Sequence, residues 1–116
     1  MKDFKRTDRI ASLLQQALSE TLIRKVRDPR IQKAMVTGVK VTADMGLARV
    51  YVRTLDPDRS ADDLLEGFRA CEGFFKREIG KHVHLLRIPR LEFFYDELPD
   101  QAAAVEALLD KMRREE

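Results

Sequence analysis

The feature that most limits the fold is the segment Ser60–His82, which has a helical pattern throughout but carries a glycine near its middle. At about 100° per residue, its apolar side chains fall on one arc and its cations fall on the opposite side, with Lys76 at the edge. The apolar positions are Leu64, Leu65, Phe68, Cys71, Phe75 and Ile79, and the basic positions are Arg69, Lys76, Arg77 and Lys81. Gly73 and Ala70 lie among the cations, although a mid-helix glycine costs about 1 kcal/mol relative to alanine. The pattern predicts either close approach of a phosphate backbone at Gly73 or a kink there. The two interpretations are compatible, because a kink exposes backbone N–H groups that bind anions.

Helical and alternating patterns on either side of this segment predict the remaining elements. They are a helix from Thr7 to Val26 that ends before Pro29, strands Met35–Thr42 and Leu47–Leu55, a strand Leu91–Tyr95, and a last helix after Pro99 that carries Ala102, Val105, Leu108, Leu109 and Met112. We expect one domain over residues 1–116, with a core of about 1–98 and a C-terminal helix over about 99–116. Because the central helix supplies a crossover, the third strand can pair in parallel with the second.

This order of elements is that of a type II KH domain, an RNA-binding fold. It predicts an α+β protein, αββαβ with a kinked second helix, in which helices cover one face of a three-stranded mixed sheet. KH domains clamp nucleotides with a Gly-x-x-Gly loop. No two of the five glycines in this sequence have that spacing, so the usual clamp is absent.

The net charge of +2 conceals an uneven distribution along the chain. Residues 1–40 hold ten Lys/Arg against four Asp/Glu, and residues 69–90 hold six against two, whereas residues 91–116 hold three against eight. Basic clusters supply the sequence-independent phosphate contacts of nucleic-acid-binding proteins, although an ordinary solvated surface has the same composition.

Composition also excludes several classes of protein. The longest apolar runs are only a few residues, too short to span a membrane. The first residues include no apolar segment of signal-peptide type, and a single cysteine cannot form an internal disulfide. We therefore expect a cytoplasmic protein that does not associate with membranes.

No group of residues predicts catalysis. Cys71 with His82 or His84 would supply a nucleophile and a base, but Cys71 lies on the apolar arc, where a buried side chain is expected. The two histidines lack a third metal ligand nearby, and the acidic residues after Ser60 fit the start of a helix. We predict no enzymatic activity, no cofactor, no metal ion and no small-molecule substrate.

Three aromatic side chains have two interpretations. Tyr51 and Phe94 are predicted on the open face of the sheet, and Phe74 lies off the apolar arc. Each of them can stack on a nucleobase, or pack in the core or against another subunit.

A series of local motifs runs through roughly residues 4–110. They are Asp28–Ile31, Val36–Val39, Thr42–Met45, Ala48–Val52, Gly73–Ile79, Leu86–Phe93 and Tyr95–Asp96. In their joint order and spacing, the chain resembles the bacterial ribosome-binding factor A family. That family has Ala-x-Gly at the helix kink and usually an arginine three residues after the glycine. The matching positions here are Cys71-Glu72-Gly73 and Lys76, and lysine keeps the charge but loses bidentate phosphate geometry.

The resemblance implies a ribosome assembly factor. Its partner would be the free 30S ribosomal subunit, bound at 16S rRNA, and its role would be late maturation of that subunit, including processing of the 16S 5′ end. The candidate RNA-binding residues are Arg69, Gly73, Lys76, Arg77, Lys81, Arg87, Arg27, Arg30, Lys5, Arg6 and Arg9. We expect the protein to act as a monomer. The alternatives are a generic single-stranded nucleic-acid-binding protein and a protein-interaction module with a basic face.

Overall fold

The computed structural model describes residues 6–97, 106 and 108–114. The elements are α1 (Arg6–Arg24), a 3₁₀ turn (Pro29–Ile31), β1 (Ala34–Val41), β2 (Leu47–Thr54), α2 (Ala61–Ala70), α3 (Glu72–His82) and β3 (Arg90–Tyr95). This order confirms the predicted α+β class, and the strand ends differ from the predicted ones by at most one residue.

Two local features need separate comment. One is a short turn after α1 that was not predicted, and the other is the last helix, of which the structure describes only a part. A 3₁₀ turn follows α1, because the Asp28 carboxylate accepts a hydrogen bond from the backbone N–H of Arg30 (2.9 Å) and Pro29 occupies the first position of the turn. Residues 106 and 108–114 are helical, as predicted for the last helix, whereas Pro99, Ala102 and Val105 lie outside the described residues. The side chains of Leu108, Leu109 and Met112 are exposed.

The sheet has the strand order β1-β2-β3, with β1 and β2 antiparallel and β2 and β3 parallel. The register pairs Ala48 with Leu91 and Val50 with Phe93, and all four side chains are buried. Because successive side chains of a strand point to opposite faces, Arg49, Tyr51 and Phe94 lie on the other face. A bulge between Val36 and Gly38 interrupts the antiparallel pairing.

The helices cover one face of this sheet, as predicted. α1 packs on β1, α2 packs on β2 and β3, and α3 packs on α1. The largest fully buried side chains come from every layer: Leu14, Leu18, Ile31, Val50, Val52, Leu64, Phe68, Phe75, Ile79, Pro89 and Phe93. Ser60 caps α2, since its hydroxyl oxygen accepts a hydrogen bond from the Asp63 N–H (3.1 Å).

The central helix is interrupted at Cys71 and not, as predicted, at Gly73. The backbone of Cys71 (φ −99°, ψ 8°) leaves the helical region, and its N–H bonds to the Phe68 carbonyl three residues back. The rings of Phe68, Phe75 and Phe93 then meet in one cluster, with centroids 5.2–6.2 Å apart. The break lies where these rings fix the ends of α2 and α3 against β3.

The buried carboxylate of Glu78 joins α1 to α3. Its oxygens lie 2.5 Å from Lys25 Nζ and 2.6 Å from Lys81 Nζ, and the residue is only 3% exposed. Hydrogen bonds from Lys25 and then from Lys81 lower the pKa of Glu78 from its ordinary value of 4.5 to about 2. The sequence contains the signal for this burial, because Glu78 falls about 60° from Phe75 on a helical wheel.

Gly67, rather than Gly73, is the glycine that packing requires. A Cβ atom at position 67 would lie 2.7 Å from Ile31 Cγ2 and 2.8 Å from Arg30 Cβ, so α2 approaches the 3₁₀ turn as closely as a glycine allows. At Gly73 the same atom would meet only Arg77 Nη1, at 3.7 Å, and at Gly80 it would meet nothing within 4 Å.

We expect Gly67→Ala to lower the free energy of unfolding by about 1–3 kcal/mol, because the added methyl group must push the 3₁₀ turn away from α2. Gly80→Ala is the matched control and should raise stability by up to about 1 kcal/mol, since it has open space and a helical position. Urea unfolding of both variants measures the difference. Equal free energies of unfolding for the two variants would show that the 3₁₀ turn moves aside without cost.

The buried Glu78 should make the free energy of unfolding depend on pH in the acidic range. Its folded pKa lies below its unfolded one, so its stabilising contribution is complete above about pH 4.5 and is lost as the pH falls towards 2. Glu78→Gln should therefore lose less stability than the parent chain between pH 5 and pH 2, by urea unfolding at each pH. The exposed carboxylate variant Glu66→Gln should follow the parent chain; a Glu78→Gln curve parallel to the parent's would contradict the assignment.

Candidate nucleic-acid interface

The junction of α2 and α3 exposes a strip of small and basic side chains. Ala70 and Gly73 are both exposed, and Gly73 is the second residue of α3. Its N–H therefore belongs to the first turn, where the amide groups have no partner within the helix and a positive partial charge develops. The φ angle of Gly73 is not positive, so its backbone conformation does not by itself require a glycine.

Three cations flank this junction. Arg69 lies in the last turn of α2, and Arg77 lies one turn after Gly73 with its guanidinium above the glycine. Arg69 and Arg77 are exposed, whereas Lys76 is half-buried. The arrangement presents two guanidinium groups, one ammonium group and a helix N-terminus around a surface with almost no side chains, which suits a phosphate backbone.

Glu72 lies inside this strip, but its carboxylate is engaged. It accepts a hydrogen bond from the backbone N–H of Leu91 (3.0 Å), at the start of β3. The acidic residue of the Cys71-Glu72-Gly73 motif therefore anchors the junction to the edge of the sheet. Sequence reasoning missed this role, because it depends on a strand that lies far away along the chain.

Two of the predicted cations are held by carboxylates of the protein. Lys81 is paired with the buried Glu78, and the structure adds Lys25, which the sequence did not single out, to the same group. The guanidinium of Arg30 donates to both oxygens of Asp28 (3.2 and 2.8 Å) and, together with the backbone N–H of Arg30, lowers the pKa of that carboxyl. Both cations stabilise the fold, and their charge is partly neutralised.

The other predicted residues that the structure describes lie elsewhere on the surface. Arg6 and Arg9 line a cavity of about 500 Å³ with His82 and His84, between α1 and the segment after α3. Arg27 follows the end of α1, Arg87 lies between α3 and β3, and both are exposed. Lys5 lies outside the described residues.

Within residues 6–97, 106 and 108–114, no three His, Cys, Asp or Glu side chains are grouped to hold a metal ion. Cys71 is half-buried, and burial raises the pKa of its thiol, which keeps the weakly nucleophilic protonated form at neutral pH. The same residues include no helix that is both long and apolar enough to cross a membrane.

Comparison with known proteins gives a consistent relationship. The family model described as ribosome-binding factor A matches residues 6–109. Ribosome-binding factor A of Desulfatibacillum aliphaticivorans is 39% identical over 109 residues, which cover 94% of this chain and 89% of the relative.

Solved structures agree with the sequence relationship. The crystal structure of ribosome-binding factor A from Thermus thermophilus superposes with a TM-score of 0.71 at 26% identity, covering 77% of this chain and 93% of that one. A homology model of the Thermus thermophilus factor, fitted into a cryo-EM map of its complex with the 30S subunit, superposes with a TM-score of 0.62 at 27% identity, covering 74% of this chain and 90% of that one. Because the family model matches residues 6–109 and a relative that is 39% identical covers 94% of the chain, this chain belongs to the ribosome-binding factor A family.

Proposed function

We propose that this protein binds the small ribosomal subunit by contacting 16S rRNA with the strip formed by Arg69, Gly73, Lys76 and Arg77. The related Thermus thermophilus factor was fitted into a map of a 30S complex, which supports the same partner for this chain. The observation that carries the proposal is the position of Arg77 above the exposed Gly73, at the N-terminus of α3. A phosphate group at this place would meet a guanidinium and amide N–H groups together.

The role that we propose is assistance in late maturation of the subunit, including processing of the 16S 5′ end. The protein would act in the cytoplasm as a monomer, without a cofactor and without catalysing a reaction. Binding alone is sufficient, because a protein that binds one RNA conformer more tightly than another shifts the equilibrium between them. The interrupted helix suits this task, since its charges are held on a rigid core and little ordering is needed when RNA binds.

Replacing Lys76 and Arg77, the two cations of the strip that lie in α3, should weaken 30S binding and reduce its dependence on salt. We expect the double substitution Lys76→Ala and Arg77→Ala to lower affinity for 30S subunits strongly. The slope of log K against log [salt] should decrease by about 0.7–0.9 for each phosphate group that the variant no longer neutralises. Sedimentation with purified subunits at several salt concentrations measures both quantities.

A matched control is Lys33→Ala, which removes an exposed charge between the 3₁₀ turn and β1. It should leave the slope near that of the parent chain. If the double variant keeps the parent's affinity and slope, the strip is not the interface, and the basic cluster of Arg6 and Arg9 becomes the better candidate. RNA recovered from cells with the bound protein distinguishes 16S binding from general single-strand binding, because only the former enriches 16S fragments.

The substitution Gly73→Ala should separate function from folding. The residue is helical and an added methyl group meets only Arg77 Nη1 at 3.7 Å, so stability should rise by up to about 1 kcal/mol. The same methyl group would stand where we place the phosphate backbone, and 30S binding should fall. Melting temperature and subunit binding are measured on one preparation, with Gly80→Ala as a control that changes stability alone. Undiminished binding by Gly73→Ala would remove the glycine from the interface.

A further inference from the structure

The uncovered face of the sheet carries an aromatic stack that ends beside a gap. The rings of Tyr51 and Phe94, on neighbouring strands, are stacked with centroids 5.7 Å apart. On the other side of Tyr51, its partner on β1 is Gly38, and a Cβ atom placed there would meet nothing within 4 Å. Since neighbouring strands lie about 4.8 Å apart, the space above Gly38 is one ring position further along the same stack.

This space is part of a cavity of about 420 Å³ with a polar wall and a pair of cations at one edge. Its lining is Thr37, Gly38, Lys40, Tyr51, Tyr95, Asp96 and Glu97. In the wall, the Thr37 hydroxyl donates a hydrogen bond to Asp96 Oδ2 (2.6 Å) and so orients the carboxylate. A carboxylate has about four acceptor positions, so it can accept hydrogen bonds from several donors at once.

A pair of like charges lies at one edge of the cavity, with Lys40 in its lining and Arg49 beside Lys40 on the next strand. Lys40 and Arg49 lie directly opposite each other across the β1–β2 pair, and both are exposed. Like charges at such a position destabilise a sheet, and an anion bound between them removes that repulsion. The cavity thus combines an aromatic wall, carboxylate acceptors that suit N–H groups, and at one edge the pair Lys40 and Arg49, which suits a phosphate.

We propose that this cavity binds one unstacked base of single-stranded RNA, with guanine preferred. The base would extend the Phe94–Tyr51 stack over Gly38, and its phosphate would lie at Lys40 and Arg49. Guanine fits the acidic wall because its Watson–Crick edge presents adjacent N–H donors, which a carboxylate accepts, whereas uracil presents one N–H between two carbonyl groups. This surface lies on the face of the sheet opposite the helices, so it is distinct from the strip around Gly73.

Two pentanucleotides of equal charge, r(UUGUU) and r(UUUUU), test the proposal. Both tyrosines of the chain line the cavity and there is no tryptophan, so intrinsic fluorescence reports on this site. We expect r(UUGUU) to bind more tightly and to quench the emission. Gly38→Val should fill the open space, keep the melting temperature, and weaken r(UUGUU) by at least about fivefold, the lower end for losing one stacked base. Asp96→Asn should narrow the difference between the two oligonucleotides.

The double variant Lys76→Ala and Arg77→Ala separates this site from the proposed 30S interface, because it should keep the preference for r(UUGUU). Equal binding of both oligonucleotides, or equal binding by Gly38→Val and the parent chain, would overturn the proposal. If Gly38→Val loses 30S association while neither oligonucleotide binds the parent chain, the cavity belongs to a protein contact and the RNA assignment is wrong.

Discussion

Three phenylalanine rings, one each from α2, α3 and β3, hold the rest of the structure in position. Phe68 lies 5.2 Å from Phe93 and 5.8 Å from Phe75 between ring centroids, and all three side chains are essentially inaccessible to water. Truncating a buried phenylalanine to alanine typically costs about 3–5 kcal/mol, a large fraction of a small domain's stability. Because Phe68 and Phe75 belong to the two helices that meet at Cys71, the cluster also fixes the direction in which the first turn of α3 points.

The charged side chains of α3 divide into two sets with different roles. Glu72 is half-buried and accepts a hydrogen bond from the Leu91 N–H, whereas Glu78 is buried and paired with Lys25 and Lys81. Buried carboxylates that are paired in this way position elements more than they add net stability, since desolvation offsets most of the attraction. The cations that remain at the junction, above all Arg77, are then carried on a helix that its acidic side chains tie to β3 and to the end of α1.

Much of the fold was predictable because it follows from periodicity. The alternation in β2, the crossover helix and the run of β3 predicted the parallel pair, and Ser60 marked the start of α2 correctly. Periodicity assigns a residue to a face but does not identify what lies opposite. For that reason the sequence directed attention to Gly73, whereas the close contact is at Gly67, and the break occurs at Cys71.

The candidate site was predictable to the same extent. Exposure of Arg69, Gly73 and Arg77 on one side of the central helix followed from the helical wheel. The ion pairs of Lys81 with Glu78 and of Arg30 with Asp28 could not be predicted in this way, because a count of charges treats every cation as available to a ligand. In a chain with 22 Lys/Arg and 20 Asp/Glu, the distribution of ion pairs decides which cations are left for a ligand.

The two proposed RNA-binding surfaces lie on opposite sides of the sheet, and their separation can select RNA by its geometry. A binder with one basic surface contacts phosphates, which every RNA conformer carries, so one such surface discriminates between conformers less than two separated surfaces do. A rigid domain with a phosphate strip on the helical side and a base pocket on the sheet side binds tightly only when two RNA segments stand one domain width apart. Engaging the first segment raises the effective concentration of the second, provided that the RNA geometry permits both contacts. If both surfaces bind RNA as proposed, the differential affinity needed to shift an RNA folding equilibrium comes from the separation of the two surfaces, which the phenylalanine cluster and the sheet keep constant.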